Sequence, residues 1–195
     1  MKKDLTELVF ILDRSGSMAG SESDVVGGFN TMIAKQKKEE GECLVTAVLF
    51  STESRILIDR AKIGDVKPLT VEEYEVGGGT ALFDAVGTQA ERIFEIQKYV
   101  REEDVPEHTV FVISTDGYEN SSRSFDKEDI RKLIQTQTSE KGWQFIFTAA
   151  DIDASEDGRK MGIPLGNCIS FEKAEMFQMF EQVSDQLCSI RKTGR

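Results

Sequence analysis

Short apolar runs alternate with longer segments of helical periodicity along the chain. The run 8–12 (LVFIL) has no polar interruption and predicts a central strand buried on both faces. Further apolar runs predict strands at 43–50, 54–63, 109–114, 143–149 and 167–170. Apolar residues at i, i+3 and i+4 spacing predict helices over 21–40, 81–102, 125–140, 153–161 and 173–190. This alternation predicts an α/β fold: a doubly wound, mostly parallel central sheet of about six strands, with helices on both faces.

One connection in this pattern is too short for a parallel crossover. Only residues 51–53 separate the strands at 43–50 and 54–63, which is hairpin spacing and predicts an antiparallel edge strand. Gly27 and Gly28 interrupt the first helix, and we expect close packing of that helix on the sheet there. The length of 195 residues suits one domain over 1–195, with its core over about 5–190.

The charge and the N-terminus narrow the classes of partner. The formal net charge is −11 and the pI is about 4.7, so a nucleic-acid phosphate backbone would be repelled and is not expected as a partner. The first apolar run ends at Asp13 and is too short for a signal peptide or a membrane span. The sequence therefore predicts a cytoplasmic protein without membrane contact.

Oxygen-bearing side chains follow the predicted strands at one edge of the sheet. Asp13, Ser15 and Ser17 form a D-x-S-x-S pattern directly after the strand 8–12, Thr80 follows three glycines, and Asp116 stands in T-D-G after the strand 109–114. Ligands of open α/β sheets bind at this carboxyl edge. An all-oxygen donor set favours a hard divalent cation, with Mg²⁺ the best fit. Each residue alone also suits a helix cap or a braced turn, and it is the combination that favours a metal site.

This combination resembles the metal-ion-dependent adhesion site (MIDAS) of von Willebrand factor type A domains. The family builds that site from a D-x-S-x-S loop, a Thr and a later Asp, and the resemblance covers about residues 5–190. It implies a metal site of Asp13, Ser15, Ser17, Thr80 and Asp116, with the hydroxyls facing the ion and the carboxylates behind them. It also implies Mg²⁺ as the cofactor, with Mn²⁺ or Ca²⁺ as alternatives.

The charge of such a site indicates its function. Neutral hydroxyls and waters leave the double charge of the cation largely uncompensated, so an open position attracts an anionic oxygen. We therefore expect a magnesium-dependent protein-binding module rather than an enzyme, which binds an Asp or Glu carboxylate of a partner protein. The resemblance to intracellular family members implies an adaptor in a larger complex, such as an assembly with an AAA-type ATPase.

Other functions remain as alternatives. A metal-dependent hydrolase or phosphatase would use Asp13 as the nucleophile, but the second Asp of that pattern, its general acid, is replaced by Ser15. A serine hydrolase needs a base near its nucleophile, and the single histidine, His108, precedes a strand and so belongs to the opposite edge. A scaffold whose metal has only a structural role is the third alternative.

Overall fold

The computed structural model describes residues 1–194, in which six strands form one sheet flanked by helices. The strands are β1 (Lys2–Asp13), β2 (Glu42–Phe50), β3 (Ser54–Lys62), β4 (Pro106–Thr115), β5 (Gln144–Ala150) and β6 (Cys168–Phe171). The helices are α1 (Glu22–Gln36), α2 (Leu82–Tyr99), α3 (Lys127–Lys141), α4 (Ala154–Lys160) and α5 (Met176–Thr193). The strand order is β3-β2-β1-β4-β5-β6, with β3 antiparallel and the other pairs parallel, so the predicted fold class is confirmed.

Side chains of β1 alternate between two hydrophobic layers because successive residues of a strand point to opposite faces. Leu8, Phe10 and Leu12 pack with α1 and α5, whereas Val9 and Ile11 pack with α2 and α3. This explains the uninterrupted apolar run, since a strand covered on both faces has no solvent side. No helix in the described part of the chain has the length and apolar character needed to cross a bilayer.

The strand β1 begins at Lys2, six positions before the predicted start, and it includes the polar residue Glu7, which interrupts the apolar pattern. Glu7 is fully buried, and its carboxylate accepts a hydrogen bond of 2.5 Å from Arg60 Nε and one of 2.8 Å from Gln97 Nε2. Arg60 has a positive φ of 44° in the irregular edge strand β3. Removing a carboxylate from water costs free energy, and a buried carboxylate is tolerated only when it is paired and hydrogen-bonded.

The packing of the first helix differs from the prediction. Gly28 in α1 lies against the ring of Phe180 in α5, so the close approach at this glycine is between two helices, and the prediction that it is an approach to the sheet is wrong. Gly27 is exposed and has no such neighbour. The contact allows α1 and α5 to lie side by side on one face of the sheet.

The carboxyl edge between β1 and β4 is the topological switch point of the sheet. After β1 the chain enters α1 on one face, and after β4 it enters α3 on the other face. Connections that leave in opposite directions open a crevice beyond the two strands. Asp13 ends β1 and Thr115 ends β4 in adjacent parallel strands, so the residues that follow them meet at this crevice.

Candidate metal centre

The D-x-S-x-S loop is folded around the carboxylate of Asp13. Asp13 Oδ1 accepts a hydrogen bond of 2.7 Å from the backbone N–H of Ser15, which turns the chain sharply at the end of β1. The hydroxyls of Ser15 and Ser17 share a hydrogen bond of 3.1 Å. Asp13 and Ser15 are buried, whereas Ser17 is exposed, so Ser17 is the residue of this motif that solvent reaches.

The end of β4 supplies partners to both parts of this loop. Thr115 Oγ1 donates a hydrogen bond of 2.5 Å to Asp13 Oδ2, and Ser17 Oγ donates one of 2.6 Å to Asp116 Oδ1. Burial raises the pKa of Asp13, while the hydrogen bonds from Thr115 and Ser15 oppose that shift because they favour the charged carboxylate. Both carboxylates are thus joined to the D-x-S-x-S loop by hydrogen bonds. Thr115 was not predicted as a site residue, although it lies within the T-D-G motif.

Asp116 has a second neighbour that the sequence analysis missed. The ammonium of Lys173 lies 2.5 Å from Asp116 Oδ2 and donates a hydrogen bond of 2.8 Å to the carbonyl oxygen of Ser17. Among residues 1–194 this buried oxygen accepts no hydrogen bond, and its neighbour is the Lys173 ammonium as an ion pair. A buried carboxylate oxygen of this kind attracts cations, because an opposite charge nearby favours its ionised form.

The loop before α2 is attached to the D-x-S-x-S loop by backbone and side-chain hydrogen bonds. Gly16 N donates to the carbonyl of Gly78 at 3.0 Å, and the Tyr74 hydroxyl donates to the carbonyl of Asp13. Gly78 has a φ of +84°, and a Cβ there would lie 2.8 Å from Thr52 Oγ1, so only glycine fits. These contacts bring Thr80 to the edge shared by β1 and β4.

Thr80 is held by the loop that follows β4. Its N–H donates to Asn120 Oδ1 at 2.9 Å, and its carbonyl accepts from the N–H of Asn120 at 3.0 Å. A Cβ built on Gly117 would lie 3.3 Å from Thr80 Oγ1 and 3.4 Å from Ser17 Oγ, so both hydroxyls flank the same residue. Thr80 is buried. The structure therefore brings together all five residues that the sequence analysis singled out.

The donor chemistry of this cluster fits a hard divalent cation. Two carboxylates and three hydroxyls converge, all of them oxygen donors, and one carboxylate oxygen lacks an aligned hydrogen bond. Within the described residues no three His, Cys, Asp or Glu side chains are grouped as a metal site, so a centre here would depend on the hydroxyls. Ser15, Ser17 and Thr80 would face the ion, and Asp13 and Asp116 would stand behind them.

Comparison with known families identifies the domain. The model of the von Willebrand factor type A domain matches residues 7–186, which is most of the chain. The chain belongs to this family. The von Willebrand factor type A fold therefore spans β1 to α5 here, and members of the family commonly bind a divalent metal at a MIDAS. A search of curated protein sequences gives no match.

Solved structures with this von Willebrand factor type A fold are distant in sequence. Proximal thread matrix protein 1 from the mussel byssus, in a structure with a zinc-occupied MIDAS motif, has a TM-score of 0.68 at 13% identity over 96% of this chain and 49% of its own. The von Willebrand factor type A protein from Catenulispora acidiphila has a TM-score of 0.61 at 18% identity, over 93% of this chain and 42% of its own. The von Willebrand factor domain of the pilus tip protein Mfa5 from Porphyromonas gingivalis has a TM-score of 0.65 at 10% identity, over 93% of this chain and 94% of its own. The chain thus spans about half the length of the mussel protein, and these likenesses concern the fold.

Proposed function

We propose that this domain is a magnesium-dependent protein-interaction module that binds an Asp or Glu carboxylate of a partner. The observation that supports it most is the convergence of five oxygen-bearing side chains, of which Ser17 is the one exposed to solvent. Asp13 and Asp116 are buried, whereas Ser17 is exposed. A partner that approaches from solvent would therefore meet the neutral hydroxyl of Ser17 before either carboxylate.

The residues have separate tasks in this proposal. Ser15, Ser17 and Thr80 would hold the ion through neutral oxygens, and Asp116 behind them would attract it through the charge on Oδ2. The hydrogen bonds of Asp13 and Asp116 keep the loop and Ser17 in position. When bound, the ion supplies an electropositive point with a position open to an anionic oxygen. Because the donors in front are neutral, they do not repel an incoming carboxylate. We further propose an adaptor role in a cytoplasmic assembly, for example one with an AAA-type ATPase.

Three observations favour binding over catalysis. Asp13 is 1% exposed and both of its oxygens accept hydrogen bonds, so neither is available as a nucleophile. Ser15 stands where a phosphatase of this type would have its general acid, and a hydroxyl cannot transfer a proton at neutral pH as a carboxylic acid does. His108 lies near the start of β4, and Ser15 and Ser17 lie beyond the carboxyl end of β1 at the other edge.

The test is a melting experiment in EDTA and in excess Mg²⁺ or Mn²⁺. At a hundredfold excess over Kd, mass action raises the stability by about 2.7 kcal/mol. For a chain of this size that is a rise in Tm of roughly 5–11 °C. Asp116→Ala, or Ser15→Ala combined with Ser17→Ala, should abolish the rise. Asp104→Ala, at a carboxylate paired with Arg101 away from the site, should retain it.

The same variants separate the alternative functions. A partner captured in Mg²⁺ should be released by EDTA and should not bind Asp116→Ala. No rise in Tm with either ion in the wild-type protein would refute the proposal. Hydrolysis of p-nitrophenyl phosphate that is lost in Asp13→Asn would favour the phosphatase. A metal-dependent rise in Tm with metal-independent partner binding would favour a scaffold with a structural metal.

A further inference from the structure

A lysine of the chain itself lies where the candidate metal centre attracts cations. Lys173 stands between β6 and α5, far in sequence from the loops of the centre. Its ammonium is 2.5 Å from Asp116 Oδ2 and 2.8 Å from the carbonyl oxygen of Ser17. The side chain of Asp116 is 0% exposed and that of Lys173 is 35% exposed. The positive charge is therefore partly removed from water and directed at a buried carboxylate.

The backbone that delivers this lysine is itself held at the sheet edge. Lys173 N donates to Asp151 Oδ1 at 3.3 Å, and Asp151 N donates to the carbonyl of Phe171 at 2.9 Å. Asp151 follows β5 directly and has a positive φ of 57°. The segment from the end of β5 to the start of α5 thus forms a supported turn. The placement of Lys173 follows from the fold, unlike that of a lysine on a freely moving surface segment.

The contact with Lys173 also compensates negative charge of the cluster at one particular oxygen, Asp116 Oδ2. Asp13 and Asp116 bring two carboxylates to one edge, and Lys173 is the basic residue paired with Asp116 in the described part of the chain. Asp116 Oδ1 already accepts from Ser17, so Oδ2 is the oxygen left for a cation. A divalent ion held by the hydroxyls in front of Asp116 would meet the ammonium as a like charge at short range. The ammonium and the divalent ion therefore repel each other, and both are attracted to the carboxylate of Asp116.

We propose that Lys173 is a built-in cation that competes with the divalent ion for Asp116 and so sets the ion concentration at which the site is filled. The inference rests on the proposed metal site but goes beyond it, since it assigns a regulatory contact to a residue outside the motif. Coupling free energies are reciprocal. If Lys173 weakens the binding of the ion by a given free energy, the bound ion weakens the Lys173–Asp116 pair by the same free energy.

The test compares Lys173→Gln with the wild-type protein by calorimetric titration with Mg²⁺ and with Mn²⁺. Coupling between two bound groups typically changes an affinity 5- to 150-fold, and we expect Lys173→Gln to bind Mg²⁺ about tenfold more tightly. Lys173→Arg keeps the charge and should stay within about threefold of the wild type. Lys192→Gln is the matched control, because Lys192 pairs with Glu39 at 2.8 Å near the far end of α5.

Melting provides a second readout that needs no bound metal. In EDTA, Lys173→Gln should melt below the wild type, since Asp116 loses its counter-charge. In excess Mg²⁺ its gain in Tm should exceed that of the wild type. A Tm in EDTA equal to that of the wild type would contradict the proposal, because it would show that the pair contributes nothing to the metal-free state.

The outcomes distinguish this inference from the proposed function. Equal affinities of Lys173→Gln and wild type would overturn the competition and leave the metal site intact. Weaker binding in Lys173→Gln would overturn it as well, since Lys173 would then support the site. If neither protein bound Mg²⁺ or Mn²⁺, both the competition and the proposed function would be wrong.

Discussion

Two adjacent glycines of α1 provide a controlled test of the packing between α1 and α5. A Cβ added at Gly28 would lie 2.2 Å from Cδ2 of Phe180 and 2.8 Å from Cγ of the same ring. A Cβ added at Gly27 would have no neighbour within 4 Å. Both positions are in the same helix, so Gly27→Ala and Gly28→Ala differ mainly in the contact with α5.

The expected effects have opposite signs. Replacing glycine by alanine inside a helix stabilises it by about 0.5–1 kcal/mol, because alanine loses less conformational entropy on folding. Gly27→Ala should therefore raise the free energy of unfolding by that amount. Inserting a methyl group into a packed core costs about 1–3 kcal/mol, so Gly28→Ala should lower the free energy of unfolding by about 0.5–2 kcal/mol in balance. The difference between the two variants measures the overpacking alone.

Urea titration followed by circular dichroism measures both free energies, provided that the m-values stay equal. The double variant Gly28→Ala with Phe180→Leu should be more stable than the sum of its single changes, because the smaller side chain leaves room for the methyl group. If Gly28→Ala proved as stable as Gly27→Ala, the two helices would not be in the close contact described above.

Two further changes test other contacts around the site. The carboxylate of Asp84 would have its pKa raised by burial, but hydrogen bonds from three backbone N–H groups, of residues 123–125, lower it below the ordinary value of 3.8. The stabilisation is then complete above that value and is lost as the pH falls through the folded pKa. Asp84→Asn should lower the free energy of unfolding by about 1–2 kcal/mol at pH 7. Urea midpoints should show this difference from the wild type shrinking as the pH is lowered from 6 toward 3. A difference that does not change with pH would contradict the role of the Asp84 charge. Tyr74→Phe removes the buried donor to the carbonyl of Asp13 and should cost about 1–3 kcal/mol in the same assay. Tyr99→Phe, at a 78% exposed ring, is the control and should stay within about 0.5 kcal/mol of the wild type.

Much of the fold is predictable from the sequence because its signals are local. The run 8–12 is apolar on both faces, and the three residues 51–53 are too few for a crossover. The start of β1 was not predictable, because Glu7 interrupts the apolar pattern and its burial depends on Arg60 from another strand. A polar residue inside a strand gives no sign of a distant partner.

The candidate site likewise contains residues that local sequence signals predict and residues whose positions depend on distant contacts. Asp13 and Asp116 each follow a buried strand directly, so their convergence follows from the geometry of a parallel sheet. Lys173 has no local signal, since its position depends on the turn between β6 and α5 and on Asp151. Thr115 belongs to a recognisable motif, but which of its neighbours it contacts depends on the register between β1 and β4.

The central position of β1 also has a consequence for how the molecule assembles. Asp13 meets Thr115 across 102 positions of sequence, and Ser17 meets Asp116 across 99. Loops of that length must close before either hydrogen bond exists, and non-local contacts of this kind form slowly and late. No short fragment of the protein contains both halves of this cluster, so its chemistry is a property of the completed sheet.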